Sequence, residues 1–569
     1  MKTLNNKMNI PFLNRPLILL FTTVFLVSEC KKDEITIVDS DDVIDTSNII
    51  VDTASDRTIT IVFSTNSNAT VNGAGNGISA TVSGNDVTVV NSSTAKVMYH
   101  LSGSTNDGFL KIYSGKKQSI VLNSASITNS RGAAINVQGP ADTPNKGKRV
   151  DLILNGSSSL TDGTTYSLTP STEDEKAVVF SEGQIVVSGN GSLTVTAKGK
   201  NGITSDDWVQ FVSGTVNINS SAGHGVRGKD YILVNGGTLD ISVSADGKKG
   251  FSSDSLVRFE GGTTTMTITG NTVVTTEGST KDTSGTAGVK ADQLFEMVNG
   301  YLTITNSGKG GKGISCDGAA CFSGGNINIT VTGQNFGSSG GGGWPGGGGG
   351  NYSVGAKGIK ADGNIDISGG IITVTASNHE GIETKGTLTI TGGEVYSQSS
   401  DDAINSAGNM TISGGYVCAY STGNDGLDAN GNCYIQGGVI YAIGKNSPEM
   451  AIDANTEGGK KLYIQGGTII AIGNLENGAQ LTQACYQASS WTKNVWYSIT
   501  VGDNTYAFKT PSSGGQKLIV SGTVQPSVMS SVTVDGGTER CNTMLYENPE
   551  VSGGNNVNLS NYTSGGGWH

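Results

Sequence analysis

Six acidic side chains occupy matching places in a repeated phrase: Glu380, Glu383, Asp402, Asp425, Asp428 and Asp453. Each lies one residue before, or two after, a small residue that an aliphatic one follows, at Gly381-Ile382, Ala403-Ile404, Gly426-Leu427 and Ala451-Ile452. If neighbouring repeats stack as strands about 4.8 Å apart, these carboxylates form columns across that spacing. Like charges so close repel one another. Calcium takes oxygen ligands at roughly 2.3–2.6 Å, so an ion midway between two repeats can touch acids of both, and calcium is the cofactor the pattern predicts. The alternative reading is that these are solvated turn residues, since turns favour Asp, Asn and Gly for their own backbone reasons.

Basic residues concentrate on earlier repeats, as Arg227, Lys229, Lys248, Lys249, Lys290, Lys312, Lys357 and Lys360. Beside a uronate neutralised by calcium, a lysine or arginine can remove the proton next to the carboxylate. Ordinary turn charge is the plainer alternative, and spacing singles out no lysine. Trp344, in the glycine run from Gly340 to Gly350, is a candidate sugar-stacking finger, against the alternative of a low-complexity insert. With Lys357 and Lys360 it makes up the predicted carbohydrate-binding set. The histidines His100, His224, His379 and His569 join no nucleophile motif, there is no phosphate-binding loop or dinucleotide fingerprint, and no catalytic residue is assigned.

The elements that must position these groups are short strands. From Gly358-Ile359 the anchors recur in steps of 23, 22, 23 and 25 residues, and each is followed by a Gly-Gly pair, from Gly369-Gly370 to Gly466-Gly467. Around each pair, apolar residues alternate with polar ones, as in Ile365/Ile367 and Ile372/Val374. Period-two alternation marks strands with one buried face, and a period in the low twenties without a helical pattern marks a solenoid of β-coils. Leucine-rich repeats are excluded, because the chain has neither their leucines nor an asparagine ladder. The predicted fold is all-β, a parallel β-helix whose earlier anchors include Gly202-Ile203, Gly225-Val226, Gly250-Phe251, Gly288-Val289 and Gly313-Ile314. Two long steps, before Gly288 and before Gly358, read as loops. Strands from Thr58 form an N-terminal cap of atypical coils, and the repeat ends near Leu475.

The formal charge of −12 over 569 residues argues against nucleic acid and anionic lipid as partners and suits a cation binder. Lys2, Lys7 and Arg15 precede an apolar run from Leu17 to Val27, too short to span a bilayer and shaped like a secretory signal. The run leads into Cys30 and resembles a bacterial lipoprotein signal, with Cys30 as the acylated first residue. Glu29 departs from that pattern, and an ordinary secretory signal is the alternative. Residues 31–55 are acidic and read as a solvated tether. Of the other cysteines, Cys433 falls in the inward column with Met410 and Leu462 and reads as core. Disulfides are permitted among the rest, and a zinc site is not predicted.

The repeats Gly358-Ile359-Lys360-Ala361-Asp362-Gly363, Asp402-Ala403-Ile404-Asn405-Ser406 and Asn424-Asp425-Gly426-Leu427-Asp428-Ala429-Asn430-Gly431 resemble a known family, as do the Gly-rich insert and Asn129-Ser130-Arg131-Gly132-Ala133-Ala134-Ile135. It is the calcium-binding, polysaccharide-lyase-like family of right-handed parallel β-helix carbohydrate-binding domains of bacterial surface proteins. The resemblance covers roughly residues 85 to 520. It implies right-handed coils, binding of cellulose-like and acidic, pectin-like polysaccharides, and calcium on Asp402, Asp425, Asp428 and Asp453, with Glu380 and Glu383 one coil earlier. Met450 and Lys385 depart from the acid pattern. The expected organisation is a lipoprotein-type signal at 1–30, the tether at 31–55, the carbohydrate-binding β-helix at 56–475 with a Gly-rich loop at 337–350, and a β-rich C-terminal cap at 476–569. The expected protein is an exported, outer-membrane or cell-surface lipoprotein. It is a calcium-stabilised monomer that binds polysaccharide and touches the membrane through a lipid anchor only. A calcium-dependent uronate lyase and a structural adhesin are the alternatives.

Overall fold

The computed structural model describes residues 55–167, 170, 172–277, 280–337 and 353–565, with the backbone of 37–39 and 42–44. Cys30, Trp344 and most of the expected signal, tether and Gly-rich loop lie outside the described residues. Two short strands within the expected tether, Ile37–Asp39 and Asp42–Ile44, pair antiparallel.

Among the described residues the chain is all-β, without a helix. A repeat contributes three strands, for example Asn201–Ser205, Trp208–Phe211 and Thr215–Ser220. Each pairs in parallel with its counterpart one repeat on, with Ile203 opposite Val226, Val209 opposite Ile232 and Val216 opposite Leu239. The first strands of successive repeats build a 14-stranded sheet, and the second and third strands belong to a larger one.

Register decides the core. One unbroken column runs Ile203, Val226, Phe251, Val289, Ile314, Ile359, Ile382, Ile404, Leu427, each paired with the next. Isolated bridges carry it on through Ile452 to Leu475, and every member is buried. Burying one such side chain contributes about 1.5–3 kcal/mol, so the column is a large part of what holds coil to coil. Beside it a chain of rings drawn from both sheets, Phe211, Phe251, Phe259, Phe295 and Phe322, packs with ring centroids 5.5–6.1 Å apart.

The Gly-Gly pairs make this stacking possible at the corner between second and third strands. The second glycine takes a left-handed conformation, with φ of +84° at Gly370, +80° at Gly393 and Gly415, +84° at Gly438 and +85° at Gly467. A Cβ on the first would meet the preceding coil's backbone, 2.3 Å from the Thr391 carbonyl oxygen at Gly414 and 2.4 Å from that of Ser413 at Gly437. Glycine is needed twice, once for φ and once for room.

One expectation is corrected. The excess before Gly288 is a hairpin, Val273–Glu277 against Thr280–Ser284, and its strand-forming Val-Val-Thr-Thr run explains why a plain loop was too simple a reading. Leu475 pairs with Ile452, one step past Ala451-Ile452 and near the expected end of the repeat. At the far end Leu518–Ser521 lies antiparallel on Thr468–Ile472, and a six-stranded sheet containing Trp496–Val501 and Asn504–Lys509 packs beside it. A disulfide between Cys418 and Cys541 ties that cap to the coils. Cys433 is a buried free thiol in register with Met410 and Leu462, as the alternation predicts.

Gly415 offers a test of the corner. A side chain there would be strained by φ and would also press on the Gly393 carbonyl oxygen, 2.6 Å from the added Cβ. Gly459 has φ +74° with open space around it, so Gly459→Ala should cost only the backbone part, about 1–2 kcal/mol. Gly415→Ala is expected to lower the melting temperature clearly more than Gly459→Ala; equal losses would mean that close stacking does not exclude a side chain.

Candidate metal and glycan site

The outward positions of the 14-stranded sheet change sign along the stack. Two residues after each anchor, the paired column reads Arg227, Ser252, Lys290, Ser315, Lys360, Glu383, Asn405, Asp428. One residue before each anchor, Lys249, Ala287, Lys312 and Lys357 are paired in turn. That column continues through Glu380, Asp402, Asp425 and Met450, whose carbonyls accept from the anchor N–H of the coil before. Cations fill the earlier coils and carboxylates the later ones.

At the acidic end, Asp425, Asp428 and Asp453 each bring an oxygen within 4.8 Å of the others. Asp402 joins them through Asn405, whose side-chain amide donates to Asp402 Oδ2 at 2.9 Å and Asp428 Oδ2 at 2.6 Å. The Asp425 backbone N–H donates to Asp402 Oδ1 at 3.2 Å, and the Met450 N–H donates to Asp425 Oδ1. Met450 therefore serves the ladder with its backbone where its side chain cannot. Burial pushes the Asp425 carboxyl up to about 8 and Asp428 to about 7, and in both the Asp402 charge adds to the rise. Asp453 is raised to about 10 by burial and by the hydrogen bond that its protonated carboxyl donates to the neighbouring Glu476 carboxylate. Asp402 is raised as well, mainly by burial.

Glu476 is a residue that sequence reasoning missed. It follows Leu475, so it stands in the column of Asp428 and Asp453, but Asn474 takes the place of the small anchor and hides the phrase. Its carboxylate accepts from Thr456 Oγ1 at 2.9 Å and from the Asn477 N–H at 2.7 Å. The Leu475 alignment with Ile452 was the available signal.

The other two predicted acids have cationic partners of their own. Glu383, 2% exposed, is held by Lys357 Nζ at 2.5 Å and by Lys385. Burial acts to raise its carboxyl, but these ammonium groups outweigh that and hold it below the usual range. Glu380 pairs with Lys357 at 3.3 Å and contacts His379, whose Nδ1 lies 3.2 Å from Asp401. Burial, then Lys357, lowers the His379 imidazole. The structure thus gathers Asp402, Asp425, Asp428 and Asp453, and sets Glu380 and Glu383 at the change of sign. A second acidic group, Asp174, Glu182 and Asp206, already holds Lys176, at 2.9 Å from Asp174 and 2.5 Å from Asp206.

Both predicted glycan-binding lysines are also engaged. Lys360 pairs with Asp362 at 2.6 Å, and Lys357 is committed to the two glutamates. Between them and Lys249 lies Lys312, which makes no ion pair among the described residues. Burial, followed by the Lys360 and Lys357 charges, lowers its amine to about 8. Lys249 is lowered to about 8 by burial and Lys248, and donates to the Gly247 carbonyl at 2.9 Å. These are the amines with anion-binding capacity to spare.

A family model described as carbohydrate-binding domain-containing protein matches residues 83–403 and 346–484. A carbohydrate-binding domain-containing protein of Acetivibrio thermocellus is 29% identical over 124 residues, 21% of this chain and 42% of the relative. The chain therefore spans about two fifths of that relative's length. A solved polysaccharide lyase-like protein from C. thermocellum, a gadolinium derivative, is 22% identical with a TM-score of 0.38, covering 47% of this chain and 97% of its own.

Lys312 gives a pH test. Its amine titrates near 8 in the folded chain against 10.5 when unperturbed, so the unfolded chain binds more protons between those values and stability rises with pH across that window. Lys312→Met is expected to melt higher than the parent at pH 7, with the gap closing as pH climbs from 8 toward 10.5. A constant gap, or none at pH 7, would show the amine to be freely solvated.

Proposed function

The chain belongs to the family of carbohydrate-binding domain-containing proteins, and from that premise we propose that it is a calcium-stabilised, polysaccharide-binding surface protein that takes acidic, pectin-like chains. The coils are read as a right-handed parallel β-helix, working as a monomer. The observation that carries the metal part is the group Asp425, Asp428 and Asp453, with Asp402 beside it. Four carboxylates, two buried and two half-buried, with no thiol or imidazole, form a hard, all-oxygen donor set, which suits calcium and not zinc.

The raised carboxyls support the same reading. Without a cation the ladder meets its own repulsion by holding protons near neutral pH; a dication between coils lets the acids ionise instead. Asp402, Asp425, Asp428 and Asp453 would hold the ion, which when bound supplies charge neutralisation and an open position for a sugar carboxylate. Lys312 and Lys249 would receive further carboxylates of the same chain, which relieves the repulsion within their column. A half-buried, unpaired lysine costs stability in the free protein, and anion binding is the return that explains it.

A second reading is favoured by Lys312 alone. An amine near 8 beside cations suits a general base for uronate β-elimination. On the binding reading, polygalacturonate with calcium is retained by the protein while absorbance of unsaturated uronides stays flat; a rising signal that chelator abolishes establishes the lyase. Calcium at about a hundred times Kd adds roughly 2.7 kcal/mol to the states that keep the site. Chelator is accordingly expected to speed amide exchange between about residues 380 and 476, leaving earlier coils unchanged, and Asp425→Asn with Asp428→Asn to remove that response. No change in exchange or melting on chelation would reduce the ladder to turn residues.

Display at the surface rests on the sequence around Cys30. Acylated Cys30 would anchor the chain to the outer membrane, and Cys30→Ala is expected to shift it from the membrane to the soluble fraction; unaltered partitioning would rule the anchor out.

A further inference from the structure

Between the cationic coils and the acid ladder stands a donor set of a different kind. His379 Nδ1, Glu380 Oε2 and an Asp401 carboxylate oxygen lie within 4.8 Å of one another. Nδ1 touches Glu380 Oε2 and is 3.2 Å from Asp401 Oδ2. These contacts are not hydrogen bonds: Nδ1 and Oε2 are both buried atoms, and neither has a hydrogen-bond partner. Glu380 is 8% exposed, and a carboxylate so buried ordinarily has every such oxygen satisfied. Lys357 Nζ approaches Oε2 at 3.3 Å, but its closer contact, 2.5 Å, is with Glu383.

The surrounding chain fixes each donor. Asn378 Nδ2 donates to the carbonyls of Thr332 and Gly333 at 3.1 and 2.9 Å, which pins the turn that carries His379. A Cβ on Gly355 would lie 2.3 Å from His379 Cδ2 and 2.7 Å from Nε2, so backbone packs on that edge of the ring and Nδ1 is the nitrogen left toward the acids. Asn424 Nδ2 donates to Asp401 Oδ1 at 3.0 Å and leaves Oδ2 for His379. The Gly381 N–H donates to the Asp402 carbonyl, so His379 and Glu380 belong to one coil and Asp401 to the next. The acids Glu380, Glu383 and Asp401 stand against two ammonium groups, Lys357 and Lys385, so negative charge is left over for a cation.

An imidazole nitrogen and two carboxylate oxygens that converge on one another without hydrogen-bond geometry form a donor set for a first-row transition metal, whereas calcium takes oxygen. We infer that His379, Glu380 and Asp401 form a second metal centre, for zinc, separate from the calcium ladder. Zinc held by three protein ligands keeps a fourth position for water or an outside ligand. The side chains of His379 and Asp401, 26% and 37% exposed, leave that position reachable from solvent. The ion would staple two coils where the outward column changes sign, and Lys357 would keep Glu383 as its partner. None of the three donors is among Asp402, Asp425, Asp428 and Asp453, so this centre stands or falls apart from the calcium and glycan readings.

The test uses the full chain without a histidine tag, stripped of metal, returned to calcium in excess so that the acid ladder is supplied, and titrated with zinc by calorimetry. One zinc per chain is expected. Outer-sphere partners alone are worth about 10–100-fold in metal affinity, so losing a ligand through His379→Gln, or through Asp401→Asn at the more exposed donor, should weaken zinc by at least about tenfold. Asp425→Asn with Asp428→Asn should leave zinc unchanged. Cobalt(II) in place of zinc reads the site in the parent itself, where the strong visible bands of four-coordinate cobalt are expected, and these bands should be lost in His379→Gln. No zinc uptake by the parent, a parent cobalt complex without those bands, uptake that survives His379→Gln, or uptake lost in the ladder double variant overturns the centre; the first of these leaves His379 as a protonated bridge between two acids. Loss of the calcium response with zinc binding intact would sink the calcium reading and leave this centre standing.

Discussion

Everything in this molecule depends on one constraint: parallel strands stacked in register place each side chain directly over its counterpart one coil away. The spacing, about 4.8 Å, is close enough for contact and too close for indifference. Where the column is aliphatic, as from Ile203 to Leu475, stacking like on like removes apolar surface continuously and is self-reinforcing. Between the columns, phenylalanine rings from Phe211 to Phe322 meet face on face or tilted across the core. The same geometry turns against the chain wherever the column is charged. Like charges then sit at the distance at which they repel most.

The charged columns show three ways out of that difficulty. Lys290 and Lys360 borrow acids from the neighbouring column, Asp292 with Asp317 and Asp362. Glu380 and Glu383 stand where the column changes sign and use Lys357 from the coil before. Asp425, Asp428 and Asp453 have neither recourse, and their carboxyls climb toward and past neutrality. Lys312 is the mirror case among the cations. Groups that a fold leaves electrostatically unresolved are where a ligand gains most by binding, which is why an ion is proposed at one end and a sugar carboxylate beside it.

How much of this the sequence disclosed follows from what each feature needs. The coils were legible because Gly-Gly and the small-aliphatic anchor each answer a local demand, a left-handed corner and a close approach, so both recur wherever a coil does. Cys433 was legible because alternation alone assigns it to the inside. Glu476 was hidden because Asn474 breaks the phrase although the register continues through Leu475. The partners of Lys357 and Lys360 were out of reach, since a column lists who is adjacent and not which rotamer closes an ion pair. Cys418 and Cys541 are separated by 123 residues, and no spacing rule connects a coil to a cap.

The placement of the ladder relative to the caps adds a further step. A stack has two open edges, and each coil is held only by its neighbours, so the terminal coils open most easily. The N-terminal edge is closed by Arg57–Phe63 and the antiparallel pair Ile78–Ser83 with Asp86–Asn91. The C-terminal edge is closed by Leu518–Ser521, and Cys541 reaches back past two coils to Cys418. The acids run from Asp402 through Asp453 to Glu476, beneath that same cap. A cation bridging those coils would therefore act on the part of the stack with the least support from below, and would stiffen the end against which the cap is docked. The lysines lie on interior coils, held from both sides, where a rigid sheet presents them at fixed intervals without help from an ion. Stability and recognition are thus separable along the axis, because register makes position along the stack the variable that decides what each outward residue can do.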